Sequence, residues 1–275
     1  MNAEKIIITK DKYRLINEKF ISENKPNVLF LPGGLGFGSE YFLPVINNLN
    51  SVANLWRLDF PDDGSNRFNE AIDFDNTWRP GLIEAVKALD NVVLITHSVS
   101  AMLALTIPEL DKILKGFVII ASAPSAKWQI GLLERAKNYN LPSLEKLNYI
   151  YAQNKNDHTF KEFFLSLLPY YIKPDYLESA KKLFDALSYH YIRYEWSQNY
   201  FQINKYQAIS PKETPTLILG SHSDIITPIS LFKDEPDFLR SNISFFEIKN
   251  AGHFPWIEKP KSFKQSLEKF LINLC

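Results

Sequence analysis

Three polar residues in this sequence are of the types, and in the order, that nucleophilic catalysis requires. Ser98 follows the apolar run 92–95, Asp224 follows the apolar run 217–219, and His253 follows a later predicted strand. A serine hydroxyl is a weak nucleophile until a histidine accepts its proton, and a third group must orient that histidine. The sequence therefore predicts an acyl-enzyme on Ser98, with Asp224 as the acid and His253 as the base.

Each of the three residues also has a simpler explanation. Ser98 could be a helix N-cap, Asp224 a surface-turn aspartate, and His253 a cap of the last helix. All three, however, follow predicted strands. Functional groups in open α/β sheets collect at the carboxyl ends of strands, so the coincidence favours the catalytic interpretation.

The residues around Ser98 are typical of a tight strand-to-helix turn that exposes a nucleophile. In such a turn, small residues two positions before and after the serine let the strand and the helix pass closely, and glycine is the usual choice. Here Thr96 and Ser100 occupy those positions. Ser100 is small, whereas the β-branched Thr96 is expected to press on the following helix. We expect the neighbouring His97 to be buried and to point away from Ser98.

A glycine-rich turn, Pro32-Gly33-Gly34-Leu35-Gly36, follows the apolar run 28–31. Acyl transfer needs backbone N–H donors for the developing oxyanion. We predict the amides of Gly34 and Val99 as these donors. The alternative of a phosphate-binding loop lacks the Gly-Lys-Ser/Thr sequence and the required glycine spacing. A plain glycine turn remains compatible with the pattern.

Apolar runs and helical patterns alternate along most of the chain. Several runs are apolar throughout, which is typical of strands buried on both faces of a parallel sheet. Apolar residues between the runs recur at helical spacing, as at Phe263, Leu267 and Leu271. The alternation predicts an α/β fold with a doubly wound, mostly parallel sheet. The predicted strands are 6–8, 28–31, 54–58, 92–95, 117–120, 217–219 and 243–248.

The segment 125–206 interrupts this alternation. It shows helical spacing without a clear buried strand, and 11 of the 13 tyrosines lie in it. We predict a helical cap inserted after the sixth strand, when an N-terminal hairpin is counted as two strands, over an α/β core formed by residues 1–124 and 207–275. Most of the aromatic side chains should pack the cap, and Trp128, Tyr194 and Trp196 are candidates to line an apolar substrate pocket.

The composition excludes several classes of function. The 275 residues include 31 Lys+Arg and 31 Asp+Glu, so the net charge is zero and no nucleic-acid partner is expected. The one cysteine, Cys275, cannot form an internal disulfide, and we expect neither a metal nor a cofactor. No apolar run suits a signal peptide or approaches the roughly 20 residues of a membrane span, which predicts a cytoplasmic protein without membrane association. The oligomeric state cannot be predicted from these features.

The motifs together resemble those of the α/β-hydrolase superfamily, in particular the branch that contains proline iminopeptidases and small cap-bearing esterases. The resemblance spans essentially the full chain and implies Ser98, Asp224 and His253 as the catalytic triad, with Gly34 and Val99 as oxyanion donors. Pro32 stands where that branch usually has a histidine. The segments that carry the resemblance are 32–36, 58–65, 108–119 and, most specifically, 252–260.

We therefore expect a serine hydrolase that cleaves carboxylic esters or related acyl compounds of small size. Within this class, the alternatives are a proline iminopeptidase-like aminopeptidase, a thioesterase, a lactonase and a carbon–carbon hydrolase. From another class, the alternative is a non-catalytic ligand-binding relative, because Thr96 and Ser100 depart from the usual elbow.

Overall fold

An eight-stranded sheet forms the centre of the molecule. The computed structural model describes residues 5–49, 53–203 and 206–274, so Cys275 lies outside the described residues. The strand order is β1-β2-β4-β3-β5-β6-β7-β8. The strands are β1 (Ile6–Ile8), β2 (Arg14–Lys19), β3 (Asn27–Leu31), β4 (Asn54–Asp59), β5 (Val92–His97), β6 (Gly116–Ile120), β7 (Thr216–Gly220) and β8 (Ile243–Glu247).

The sheet is parallel from β4 to β8, and only β2 pairs antiparallel with its two neighbours, β1 and β4. The predicted doubly wound, mostly parallel α/β sheet is thereby confirmed. The sequence analysis gave no bounds for β2, the second strand of the N-terminal hairpin, because its residues mix charged and apolar types and form no apolar run. By contrast, β3 to β7 are buried along their whole length, which explains their continuous apolar sequences.

Alternate side chains of the central strands enter two separate cores. Val28 and Phe30 of β3 belong to one apolar cluster, whereas Leu29 and Leu31 belong to the other. Each face of the sheet is therefore covered by helices. The helices are α1 (Leu43–Ile46), α2 (Phe74–Lys87), α3 (Val99–Ala104), α4 (Leu110–Ile113), α5 (Lys127–Ala136), α6 (Leu144–Gln153), α7 (Asp157–Tyr171), α8 (Leu177–Asp185), α9 (Tyr191–Ile203), α10 (Ser230–Lys233), α11 (Pro255–Glu258) and α12 (Pro260–Leu274).

Helices α5 to α9 lie between the sixth and seventh strands. An isolated β-bridge joins Ser125 to Gln207, and the Ala208 N–H donates to the Pro124 carbonyl at 2.7 Å. The chain thus leaves the sheet region and returns to it at one paired point. This pairing supports the proposed division into a core of residues 1–124 and 207–275 and a cap of residues 125–206.

Candidate active site

Ser98 lies at a sharp turn between the end of β5 and the start of α3. Its backbone has a positive φ of 52° with ψ of −118°, a conformation that costs a non-glycine residue free energy. Two hydrogen bonds fix the turn to the residues at the end of β6. The Ser98 N–H donates to the Ile120 carbonyl at 2.9 Å, and the Ser122 hydroxyl donates to the Ser98 carbonyl at 2.9 Å.

Thr96 and Ser100, which stand where glycine is usual, both form hydrogen bonds through their hydroxyls. The Thr96 hydroxyl donates to the Val118 carbonyl of the neighbouring strand at 2.9 Å. The Ser100 hydroxyl accepts the His97 N–H at 3.1 Å and lies 3.1 Å from the Leu31 carbonyl oxygen. Both residues are fully buried. The two departures therefore stabilise the turn instead of leaving polar groups unpaired.

The structure brings Asp224 and His253 together with Ser98. Asp224 follows β7 and His253 follows β8. The His253 Nε2 lies 2.9 Å from the Ser98 Oγ, and the His253 Nδ1 lies 2.9 Å from the Asp224 Oδ2. Thr227, which the sequence analysis did not single out, donates its hydroxyl to the same Asp224 oxygen at 3.1 Å.

The protonation of this group follows from its hydrogen bonds. Burial by itself raises the pKa of Asp224, but His253 and the amides of Ile226 and Thr227 outweigh that effect and lower the pKa. An ionised carboxylate only accepts hydrogen bonds, so the His253 Nδ1 carries the proton that it donates to Asp224. In the neutral imidazole the Nε2 is then unprotonated and accepts the Ser98 hydroxyl proton.

The glycine-rich turn after β3 packs directly against the turn that carries Ser98. A Cβ added at Gly33 would lie 1.8 Å from the His97 carbonyl oxygen, so only glycine fits there. Gly34 has a positive φ of 69°. Gly34 and Val99 both border the cavity above Ser98, and among the described residues neither amide N–H has an acceptor. Two backbone donors are thus available beside the hydroxyl.

A buried carboxyl group holds the far end of the same turn. Asp63 Oδ1 accepts the Gly36 N–H at 2.6 Å, and the Gly36 carbonyl accepts the His190 N–H at 2.6 Å. Burial, with smaller contributions from Asp59 and Glu40, raises the pKa of Asp63 to about 7 despite the opposing effects of the Gly36 amide and Arg193. The backbone of Gly36 therefore links the Asp63 carboxyl group to His190, which directly precedes α9.

A cavity of about 200 Å³ lies above Ser98, and its surface is mostly apolar. Its described lining includes no Asp, Glu, Lys or Arg side chain. The inserted helices supply much of the lining: Trp128, Phe160, Phe163, Phe164, Leu167, Tyr171, Tyr194 and Phe201.

The structure places two of the three aromatic pocket candidates at this cavity and the third elsewhere. Trp128 and Tyr194 line it. The expectation for Trp196 is wrong, because its indole N–H donates to Asp75 at 2.6 Å and its ring packs on Phe74 of α2. Residues two apart on a helix point in different directions. The cavity residues of α9 instead follow helical spacing: Tyr194, Ser197, Gln198 and Phe201.

Glu258, which was not predicted to touch the site, lies behind His253. Its buried carboxylate accepts the N–H groups of Gly252 and of Lys173. The Glu258 side chain thus connects the loop that carries His253 to the segment that follows α7. The backbone carbonyl of Tyr171, at the end of α7, also accepts the His253 N–H at 2.8 Å.

Within residues 5–49, 53–203 and 206–274, no group of three or more His, Cys, Asp and Glu residues is arranged to hold a metal ion. In the same described residues, no helix has the length and apolar character to cross a membrane.

A sequence profile of the α/β-hydrolase family matches residues 28–265. The chain belongs to this family. A relative from Mycoplasma genitalium, provisionally named esterase/lipase 2, is 26% identical over 98% of both chains. Among solved structures, the proline iminopeptidase-related protein of Thermus thermophilus is similar with a TM-score of 0.71, 17% identity and coverage of 98% of both chains. A thermophilic esterase from Thermogutta terrifontis is similar with a TM-score of 0.65, 14% identity and the same coverage. At these identities the two structures show the fold that this α/β-hydrolase shares with them.

The role of Thr96 can be tested by replacing it with glycine, the residue usual at this position. Thr96→Gly should lower the free energy of unfolding by roughly 1–3 kcal/mol, because it removes a buried hydrogen bond to Val118 and adds backbone entropy to the unfolded chain. Urea denaturation followed by circular dichroism measures the change. An increase in stability would show instead that the threonine strains the turn.

The raised pKa of Asp63 predicts a pH-dependent effect of Asp63→Asn. Between its ordinary value of 3.8 and about 7, the folded wild type keeps a proton that the unfolded chain loses. Wild-type stability therefore falls as pH rises through this window, by up to about 1.4 kcal/mol per unit from this group. Asparagine does not titrate, and its Oδ1 can still accept the Gly36 N–H. The free energy of unfolding of the variant minus that of the wild type should thus rise from pH 4 to 7 and then level off. A constant difference across urea titrations in this range would contradict the assignment.

Proposed function

We propose that this α/β-hydrolase is a serine hydrolase that cleaves carboxylic esters with an apolar, uncharged acyl group. The observation that carries the proposal is the continuous hydrogen-bonded series from Ser98 through His253 to Asp224, with both distances at 2.9 Å. This series opens into an apolar cavity. A buried serine that served only as a helix cap would need neither the histidine nor the carboxylate.

The geometry supports a two-step acyl transfer. The Ser98 Oγ attacks the ester carbonyl carbon while the His253 Nε2 takes the hydroxyl proton, and Asp224 stabilises the resulting imidazolium. The amides of Gly34 and Val99 donate to the oxyanion. The imidazolium then protonates the leaving alkoxide as the ester C–O bond breaks. Water, deprotonated by the same nitrogen, releases the acid and restores Ser98.

The cavity lining favours esters over peptides with a free amino terminus. An aminopeptidase needs a carboxylate that binds the substrate ammonium group, and the described lining includes none. Two glutamates of the inserted helices do not line the cavity and pair with lysines instead: Glu134 binds Lys137 at 2.6 Å and Glu195 binds Lys155 at 2.5 Å. An ester assignment also agrees with the name of the Mycoplasma genitalium relative.

The triad assignment predicts large losses of activity without loss of the fold. Ser98→Ala, His253→Ala and Asp224→Asn should each lower kcat on p-nitrophenyl esters by roughly 10³-fold or more. Ser266→Ala is a matched control, because Ser266 is also buried and its hydroxyl donates to the nearby Phe263 carbonyl, far from Ser98 in the sequence. Circular dichroism verifies folding, and wild-type turnover by folded Ser98→Ala would refute the assignment.

The substrate class can be tested with a panel of p-nitrophenyl esters of increasing acyl length beside prolyl and alanyl naphthylamides. Filling the apolar cavity should raise kcat/KM about tenfold for each 1.4 kcal/mol of added transition-state binding, up to the length that the cavity holds. The naphthylamides should give no turnover above background. Equal efficiency on acetyl and longer esters, or a preference for the naphthylamides, would contradict an apolar acyl site.

A further inference from the structure

A second buried series of hydrogen bonds runs beneath Ser98 and contains neither Asp224 nor the Ser98 hydroxyl. The Gly33 N–H donates to the Tyr41 hydroxyl oxygen at 2.7 Å. The Tyr41 hydroxyl lies 3.1 Å from the His97 Nδ1, and the His97 Nε2 lies 3.0 Å from the His253 carbonyl oxygen. Tyr41 is fully buried and His97 is 1% exposed, so water does not compete for these bonds.

The direction of every proton in this series is fixed by chemistry. A carbonyl oxygen only accepts hydrogen bonds, so the His97 Nε2 must carry the proton of its hydrogen bond to the His253 backbone carbonyl. Burial, and then the proximity of His253, lowers the pKa of His97 well below its ordinary value, which keeps the ring neutral. The Nδ1 of a neutral ring with Nε2–H is an acceptor, so the Tyr41 hydroxyl donates to it.

The series connects the three backbone segments that must be in register for catalysis. Gly33 precedes Gly34, His97 precedes Ser98, and the last acceptor belongs to His253 itself. Tyr41 does not border the cavity, so it does not touch a substrate. Its ring stacks on Trp256 at 5.6 Å with an interplanar angle of 18°, which holds the hydroxyl in place.

We propose that Tyr41 and His97 are positioning residues that hold the oxyanion turn and the backbone of His253 in register around Ser98. This inference rests on the proposed serine-hydrolase function. Loss of the Tyr41 hydroxyl leaves the Gly33 N–H without an acceptor and the His97 Nδ1 without a donor. Both the turn and the His97 ring then shift, and small misplacements of reacting groups have large effects on rate.

The decisive comparison is between two buried tyrosines. Tyr13 matches Tyr41, because it is also fully buried and its hydroxyl donates to a backbone carbonyl, that of Trp78, at 2.6 Å. Tyr41→Phe should lower kcat on the best ester about 10- to 100-fold, with a much smaller change in KM, because Tyr41 itself does not line the cavity. The rate of fluorophosphonate labelling of Ser98 should fall by a similar factor. Tyr13→Phe should leave all three quantities within about twofold of wild type.

Double variants test whether the two residues act as a unit. If they do, Tyr41→Phe combined with His97→Phe should lower kcat no further than the more damaging single change. If the kcat losses of the two single variants multiply in the double variant, Tyr41 and His97 act independently, and the inference is overturned. Wild-type kcat in Tyr41→Phe, or an equal loss in Tyr13→Phe, would also overturn it, because a merely structural role affects both tyrosines alike.

Imidazole ¹⁵N NMR separates this inference from the proposed function, since it needs no turnover, and the chain has only five histidines. We expect His97 to remain the Nε2–H tautomer from pH 5 to 9. Tyr41→Phe should shift the ring signals of both His97 and His253, and Tyr13→Phe should shift neither. An Nδ1–H tautomer, or an unchanged His253 signal in Tyr41→Phe, would overturn the inference. If wild-type Ser98 gave no fluorophosphonate adduct, the hydrolase proposal would fail, while these NMR shifts would still decide the positioning role.

Discussion

The backbone conformation of Ser98 is the constraint on which the rest of the site depends. Its positive φ lifts the hydroxyl above the sheet and costs about 1–3 kcal/mol. That cost is offset because β5 lies in the interior of the sheet, is buried throughout, and is bonded to the end of β6 on one side. The glycine-rich turn fits against the same backbone with no room for a side chain at Gly33. The strained backbone of Ser98 therefore depends on the close packing and hydrogen bonding of the central strands.

The strand order explains how residues far apart in sequence meet. Ser98 follows β5, Asp224 follows β7 and His253 follows β8, so the loop with the histidine must reach back across β7 and β6. Such a loop needs fixed points along its backbone. His97 binds the His253 carbonyl, Tyr171 binds the His253 N–H, and Glu258 binds the Gly252 N–H. The position of the base is therefore set by its main chain as well as by Asp224.

The parts of the fold and site predicted from sequence are those that depend on local patterns. Apolar runs mark the buried strands, and Ser98, Asp224 and His253 are recognised as polar residues in the turns and loops that follow three of these strands. The mixed sequence of β2 has no such mark, and the strand is defined by its pairing with β1 on one side and β4 on the other. Tyr41 acts through a partner that lies 56 residues away in the sequence, and no local pattern reports that spacing. The error on Trp196 had an available signal, because helical spacing groups Tyr194 with Ser197 and Gln198.

The hydrogen bond from the His253 N–H to the Tyr171 carbonyl has a mechanical consequence for access to the cavity. Tyr171 ends α7, so the inserted helices are attached to the base at that point. Lifting all five helices as one rigid lid would break this attachment and disturb the base at each opening. Helix α5 has no fully buried residue, yet it contributes Trp128 to the cavity wall. Arg135 of α5 donates to the carbonyls of Ile225 and Ile226 at 2.7 and 2.9 Å, directly beside Asp224. The insertion is therefore fastened to the loop of the acid as well as to the loop of the base, so any movement of these helices acts on both partners of Ser98.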